Sequence, residues 1–323
     1  MIATKAAPAA AEHSPMQAAP APTPGPAPWR GLVSLRFEQH QGITRHQGEA
    51  RSPLKLLRSF QQASGHCELP LLHTAGGLVG GDELQIEAEL GPGSRALITS
   101  VAAQKVYGSV GRSRRYPAGR WARQQLQFRL QPGSDLEWLP QELVLYADAL
   151  YQQQTRVDLA EGASVLTAEV VRLGRTAAGE GLGRGRWRSS LEIRRQSARG
   201  WRWELVDRLE LGGSALQGEH GLAGQPVFGS LVWVAPQPLR PADLEQLLAA
   251  ARACRSDLEG TMACGALEQG LVARYRGSSS QAARFWFSRL WALIRGQRHL
   301  AAPQLPRVWP FQEDPLSKGS GSA

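Results

Sequence analysis

The segment His73–Asp82, HTAGGLVGGD, sets four glycines between a histidine and an aspartate. Glycine pairs of this kind let a backbone turn tightly and turn its N–H groups outward, which suits anion binding. Two phosphate-binding patterns can be tested against it. The P-loop needs Lys followed by Ser or Thr after its last glycine, and Asp82 stands there instead, where its charge would repel a phosphate. The dinucleotide pattern needs a helix next, and LQIEAEL alternates as a strand does. A glycine loop presenting a carboxylate beside His73 remains. That pair fits a metal or proton site, and equally a tight turn in which Asp82 bonds its own backbone.

Three further segments carry polar groups worth weighing. AAQKVYGS holds Gln104, Lys105 and Tyr107; LPQELVLYADA holds Glu142 and Asp148; VRLGRTAAGE holds Arg175 and Glu180. The seven histidines form no H-x-H or H-E-x-x-H pair, and Cys67, Cys254 and Cys264 form no C-x-x-C, so tight storage of a soft or borderline metal has no support. His66 and Cys67 are adjacent, point to opposite faces of a strand, and read as structural. No G-x-S-x-G elbow occurs, although a triad is defined in space rather than in sequence. The arginines of GRSRR (Gly111–Arg115), with Arg184, Arg186 and Arg188, read as a solvated loop, or else as a dock for an acidic partner.

The elements that would position these groups are mostly strands. GLVSLRF alternates from Gly31 to Phe37. Further strands are expected at Leu54–Phe60, Glu68–Leu72, Thr155–Leu159, Ser164–Arg172, Trp187–Arg194, Trp201–Leu211 and Val227–Val234. A strand–turn–strand unit recurs three times: LQIEAEL-GPGS-RALITS, QQLQFRL-QPGS-DLEWLP and QQTRVDL-AEGA-SVLTAE. Such repetition predicts a stacked, solenoid-like β scaffold, against the alternative of three ordinary hairpins in a sandwich. If the units stack, the segments that follow them stack too, and Asp82, Glu142 and Glu180 line one column or cavity. Buried carboxylates must be paired, protonated or bound to a cation, so such a column suits passage of a divalent ion. Two helices are expected late in the chain, over Asp243–Cys254 and over Ser280–Arg295 with Gly296 as a stop, and Thr261–Arg276 reads as a strand pair.

The 323 residues, 42% hydrophobic, are enough for one sizeable core without staples. The net charge of +9 comes almost wholly from arginine, the lysines being Lys5, Lys55, Lys105 and Lys318. No nucleic-acid module accompanies that charge, so an acidic protein partner is preferred. Three cysteines make no disulfide framework, which points to a reducing compartment. No apolar run is long enough to span a bilayer. Residues 1–28, rich in Ala and Pro, read as a disordered lead, 29–310 as one domain, and 311–323 as a disordered tail.

In their order these motifs resemble the UreD (UreH) family of urease accessory proteins. The elements that carry the resemblance are HTAGGLVGGD at 73–82, LITSVAAQKVYGS at 97–109, LEWLPQELVLY at 136–146, VRLGRTAAGEGLGRG at 171–185, FWFSRLWALIRG at 285–296 and PRVW at 306–309. The resemblance implies a mainly β scaffold of superhelical form with two helices in the C-terminal part. It implies a chaperone without enzyme activity, acting in the cytoplasm as part of a hetero-oligomer. The partners implied are UreF, the GTPase UreG and nickel-free urease (UreA, UreB, UreC), with no nucleic acid or membrane. No cofactor is held tightly; nickel is in transit, through a passage whose expected carboxylates are Asp82, Glu142 and Glu180. Roles for His73, Lys105, Tyr107 and Arg175 stay open between structural and functional. The long lead and the arginine-rich 112–123 loop depart from the family pattern. The competing reading is a β-solenoid enzyme using paired carboxylates on a polysaccharide, which would need an aromatic-lined cleft.

Overall fold

A computed structural model describes residues 27–309 and 314–316. The expected lead (1–28) and tail (311–323) fall outside the described residues, apart from Ala27, Pro28 and Asp314–Leu316. The chain opens with an antiparallel pair, β1 (Arg30–His40) and β2 (Ile43–Arg51), then β3 (Leu54–Leu56), β4 (Phe60–Gln61) and β5 (Cys67–His73). The coils follow: β6 (Glu83–Leu90), β7 (Arg95–Ser100) and β8 (Gln104–Val106); then β9 (Ala122–Leu130), β10 (Asp135–Leu139) and β11 (Leu143–Leu145); then β12 (Leu150–Leu159) and β13 (Ser164–Leu173). A hairpin of β14 (Arg186–Ser197) and β15 (Gly200–Gly212) leads to β16 (Val227–Val234), α1 (Pro241–Ala253), β17 (Thr261–Leu267), β18 (Gly270–Gly277) and α2 (Ser280–Gln297).

The repeat is real. One seven-stranded sheet runs β15-β14-β12-β9-β6-β1-β2, and β6, β9, β12 and β14 pair in parallel along it. An eleven-stranded sheet has β5, β7, β10 and β13 as its parallel centre. Each unit therefore places its first strand in one sheet and its second in the other. Residues that match in the repeat are lateral neighbours: Ala88 sits beside Phe128, then Val157, then Ile193, all buried. The turns stack as well. In GPGS the Ser94 N–H donates to Gly91 O at 3.1 Å and Gly93 takes φ +68°, which a non-glycine residue would adopt only with strain. Gly93 N–H reaches Pro132 O of the next turn at 3.0 Å, and Gly133 N–H reaches Glu161 O of the one after at 3.1 Å.

Two apolar layers result. Val33, Ile86, Phe128, Leu136, Val165 and Trp187 fill the space between the sheets. Leu97, Leu166, Trp233, Trp286, Leu290 and Trp291 fill the space between the larger sheet and the helices. Strands of the larger sheet are thus covered on both faces and read as near-continuous apolar runs. Pro241 begins α1, where its missing N–H costs nothing. Ser279 caps α2 by accepting from Ala282 N–H at 3.1 Å. The expected stop at Gly296 is passed, the helix running on to Gln297. The expected strand Leu54–Phe60 is two short ones, β3 and β4. The unforeseen β2, ITRHQGEAR, is a largely exposed edge strand without the alternation that marks a half-buried one. No helix among the described residues is long and apolar enough to cross a membrane.

Candidate functional site

The segments that follow the repeats stack against one another at one end of the coil. Leu78 N–H donates to Lys105 O and Tyr107 N–H to Leu78 O, each at 2.8 Å, so the glycine loop pairs with β8. β8 pairs in parallel with β11, and β11 with the end of β13. Asp148 N–H donates to Leu182 O at 2.8 Å and extends the stack into the loop at 174–185. Close approach explains two of the glycines. A Cβ on Gly77, whose φ is +154°, would lie 2.6 Å from Tyr107 Cε2 and 3.0 Å from Lys105 O, and one on Gly80 would lie 2.2 Å from Ser109 Oγ.

Within this stack the sequence-derived residues divide. Asp82 is 1% exposed; its Oδ1 accepts Trp29 N–H at 2.9 Å and its Oδ2 accepts Val79 N–H at 2.8 Å. It closes the glycine loop and ties the first strand to it. Tyr107, Tyr146, Arg175 and Glu180 come together: the tyrosine rings meet edge-on at 5.1 Å, the Arg175 guanidinium lies 4.7 Å over Tyr146, and Arg175 forks onto Glu180 with Nε to Oε2 at 2.7 Å. The fork holds the Glu180 carboxyl below its ordinary range. Tyr107 Oη also reaches Gly76 O at 3.3 Å, while the Lys105 side chain is exposed. Glu142 faces the helix layer, accepting from Arg284 Nη1 at 3.0 Å. Asp82, Glu142 and Glu180 thus each serve a different partner, and none of them bonds another.

A second polar group, not singled out from sequence, lies between the sheets. The inward row Leu84–Gln124–Gln153–Ser189 is mostly polar, whereas the next row on that face, Ile86–Leu126–Thr155–Leu191, has one threonine among apolar side chains. Leu84, Gln124 and Gln153 border a cavity of about 70 Å³ together with His73, Gln141, Tyr151 and Glu169. That volume holds about two waters. Tyr151 Oη donates to Gln124 Oε1 at 2.8 Å, and Gln153 Nε2 to Glu169 Oε2 at 3.0 Å. Gln141 is 4% exposed with both side-chain polar atoms unpartnered, and His73 Nε2 is buried and unpartnered too. Burial keeps His73 below the ordinary imidazole range, with Asp82 opposing. Burial pushes Glu169 up to about 7, Arg274 pulling down and Asp207 pushing up. Arg274 bonds Asp207 Oδ2 at 2.5 Å. A smaller cavity of about 30 Å³ on the helix side shares Pro140, Glu169 and Val170 with the first, and is bordered by Arg284 and Trp309. Pro140 follows directly on β10, and its missing N–H cannot extend that strand's ladder. The signal in the sequence was Glu169 itself, a lone charge inside the apolar run SVLTAEVV.

A third cluster has the look of chemistry but is closed. Ser64 Oγ, His66 and Asp135 line up as a triad does, with His66 Nδ1 2.9 Å from Ser64 Oγ and Nε2 2.8 Å from Asp135 Oδ2. His66, Asp135 and Glu137 also have metal-ligand spacing, the one such group among the described residues. All four are buried. Arg298 reaches Asp135 and Arg295 reaches Glu137, each at 2.6 Å, so both carboxylates are already neutralised. Burial opposes the ionised form of Asp135, yet Arg298 and His66 hold its carboxyl well below the usual range. A nucleophile sealed from solvent cannot meet a polymer, and a cation gains little from carboxylates already paired. Trp187, Trp233, Trp286 and Trp291 are likewise buried, which takes them away from any aromatic-lined cleft.

Residues 30–310 match the family described as UreD urease accessory protein. The chain belongs to the UreD family. A urease accessory protein UreD of Parasynechococcus marenigrum (strain WH8102) is 64% identical over 290 residues, covering 90% of this chain and 93% of that one. Proteins of the same description from Synechococcus sp. (strain WH7805) and Prochlorococcus marinus (strain MIT 9313) are 61% and 57% identical, each over at least 90% of this chain and 93% of theirs. UreD relatives are thus named as accessory proteins of an enzyme rather than as enzymes, which agrees with the closed Ser64–His66–Asp135 cluster.

Proposed function

We propose that this UreD-family chain is a cytoplasmic chaperone that joins UreF and the GTPase UreG to nickel-free urease and gives nickel a protected route toward it. The observation that carries the reading is the polar space between the sheets: a small cavity in which Glu169, Gln153 and the unpartnered Gln141 and His73 face one another. An apolar core has no use for such groups, since a buried polar atom without a partner costs about 1–3 kcal/mol. Oxygen ligands and a neutral imidazole suit a divalent cation held weakly enough to leave. Glu169 borders both cavities, which makes it the natural crossing point through the larger sheet beside Pro140. Asp82, Glu142 and Glu180 then act at the margins: Asp82 shapes the loop beside His73, Glu142 lies next to the helix-side cavity through Arg284, and Glu180 lies at the exposed end of the stack.

The test is urease activation. Urease subunits and the remaining accessory proteins are co-expressed with nickel, with and without this chain. Urea hydrolysis and urease-bound nickel should both fall without it, and full activation in its absence would sink the proposal. Glu169→Gln should lower urease-bound nickel while the variant still co-purifies with its partners.

A further inference from the structure

The arginine-rich loop between β8 and β9 is not slack chain. Gly111 N–H donates to Pro117 O and Gly119 N–H to Tyr116 O, each at 2.9 Å, and Arg120 N–H is held by Ser109 Oγ at 2.7 Å. Arg115 and Arg120 both lie over the Tyr116 ring, at 5.4 and 5.3 Å. The neighbouring cations are spoken for: Arg184 pairs with Asp148, and Arg186 and Arg188 both pair with Glu210. Among the described residues Arg112, Arg114, Arg115 and Arg120 have no ion-pair partner; Arg112 lies near enough to lower Asp148 and Glu180 without pairing with either. Arg112, Arg114 and Arg115 are exposed. A preformed loop that presents unpaired forks has already met much of the ordering cost of binding.

We infer that this loop is a docking surface for an acidic patch on a protein partner. A protein is favoured over nucleic acid by the aromatics. Single strands are gripped by stacking bases on free rings, but Tyr116 already carries two guanidinium groups and Trp121 carries Arg188 at 4.4 Å. Duplex phosphates are followed by a stripe of cations, whereas the adjoining outer sheet face alternates in sign, with Arg30 beside Glu83 and Glu83 beside Arg123. An accessory protein also needs a protein client, and planar forks pair with carboxylates at two points.

The full chain tests this by fluorescence anisotropy with a labelled glutamate-rich peptide and, separately, a short DNA duplex. The peptide should bind in a salt-sensitive manner and more tightly than the duplex. R112S/R114S/R115S should weaken it about tenfold. The matched triple R51S/R208S/R240S removes equal charge from arginines paired to Glu49, Glu192 and Asp243, and should leave binding within about twofold. Thermal melts accompany every variant, and if the loop triple melts early R114S alone is read instead. Equal losses from both triples, no loss from the loop triple, or tighter binding of DNA than peptide would each overturn the inference.

Discussion

Arg295 of α2 sets its guanidinium against the Glu137 carboxylate of β10 as a two-point fork, Nε to Oε1 at 2.8 Å and Nη2 to Oε2 at 2.6 Å. Both residues are 1% exposed. The same guanidinium donates to Gln62 Oε1 at 2.9 Å and lies 4.6 Å over Trp291. It therefore locks the last turns of α2, the segment before β5 and the centre of the larger sheet into one arrangement. Removing one partner strands the other as an unpaired buried charge. Arg295→Met is expected to lower unfolding free energy by about 3–5 kcal/mol, and the double variant Arg295→Met/Glu137→Leu by clearly less, because no charge is left behind. Urea melts of the two variants check this, and equal losses would mean that packing, not charge, is what Arg295 supplies.

Glu169 gives a pH signature. Folded, it keeps its proton up to about pH 7; unfolded, it loses it near 4.5. Between those values the folded chain binds the extra proton, so this group's contribution to stability declines as pH rises through the window and is level above it. Glu169→Gln is neutral throughout and escapes the decline. It should match the parent near pH 4.5 and exceed it above pH 7 by up to about 3 kcal/mol, the worth of such a shift. The difference between variant and parent melting temperatures across pH reads this directly. A difference that stays flat with pH would mean that Glu169 ionises normally.

The glycine loop separates two neighbouring positions. Gly77 takes φ +154° with Tyr107 and the Lys105 carbonyl pressed against the site of a Cβ, while Gly76 takes φ +73° with nothing within 4 Å. Gly76→Ala should cost only the left-handed backbone penalty, about 1–2 kcal/mol. Gly77→Ala should cost more and should disturb the Tyr107–Tyr146 contact, visible as a change in tyrosine near-ultraviolet circular dichroism. Equal costs would show that the next coil does not press on the loop.

The sequence carried the coil well because its strands repeat. LQIEAEL, QQLQFRL and QQTRVDL put matching residues in lateral register, and one-face burial makes that register visible as alternation. Asp82 was legible as a turn former, and proved to be one. The stacking of their segments, which the structure shows, predicts one column for Glu142 and Glu180; but a segment's position does not say which way a side chain leaves it. Glu142 turns to Arg284 on a helix 142 residues away, a relation no local pattern encodes. Glu169, Asp135 and Glu137 are hard to see in the sequence because they sit inside strands marked by their apolar neighbours. In a strand covered on both faces an embedded acid is itself the signal, since it must have a partner, a proton or a cation.

Glu169 and Glu180 therefore make opposite predictions about the route of the metal. Glu180 is engaged by Arg175 in an exposed loop, so Glu180→Gln should leave the melting temperature unchanged and partners bound. Glu169 lies between the sheets at the junction of two cavities, so Glu169→Gln should stabilise the chain above pH 7 and yet reduce nickel reaching urease. A variant that is more stable but less effective cannot be failing through misfolding. If urease-bound nickel, measured after activation with each variant, falls for Glu169→Gln alone, the ion passes between the sheets. If it falls for Glu180→Gln alone, the ion follows the stacked loops, and the inter-sheet polar groups serve the fold instead.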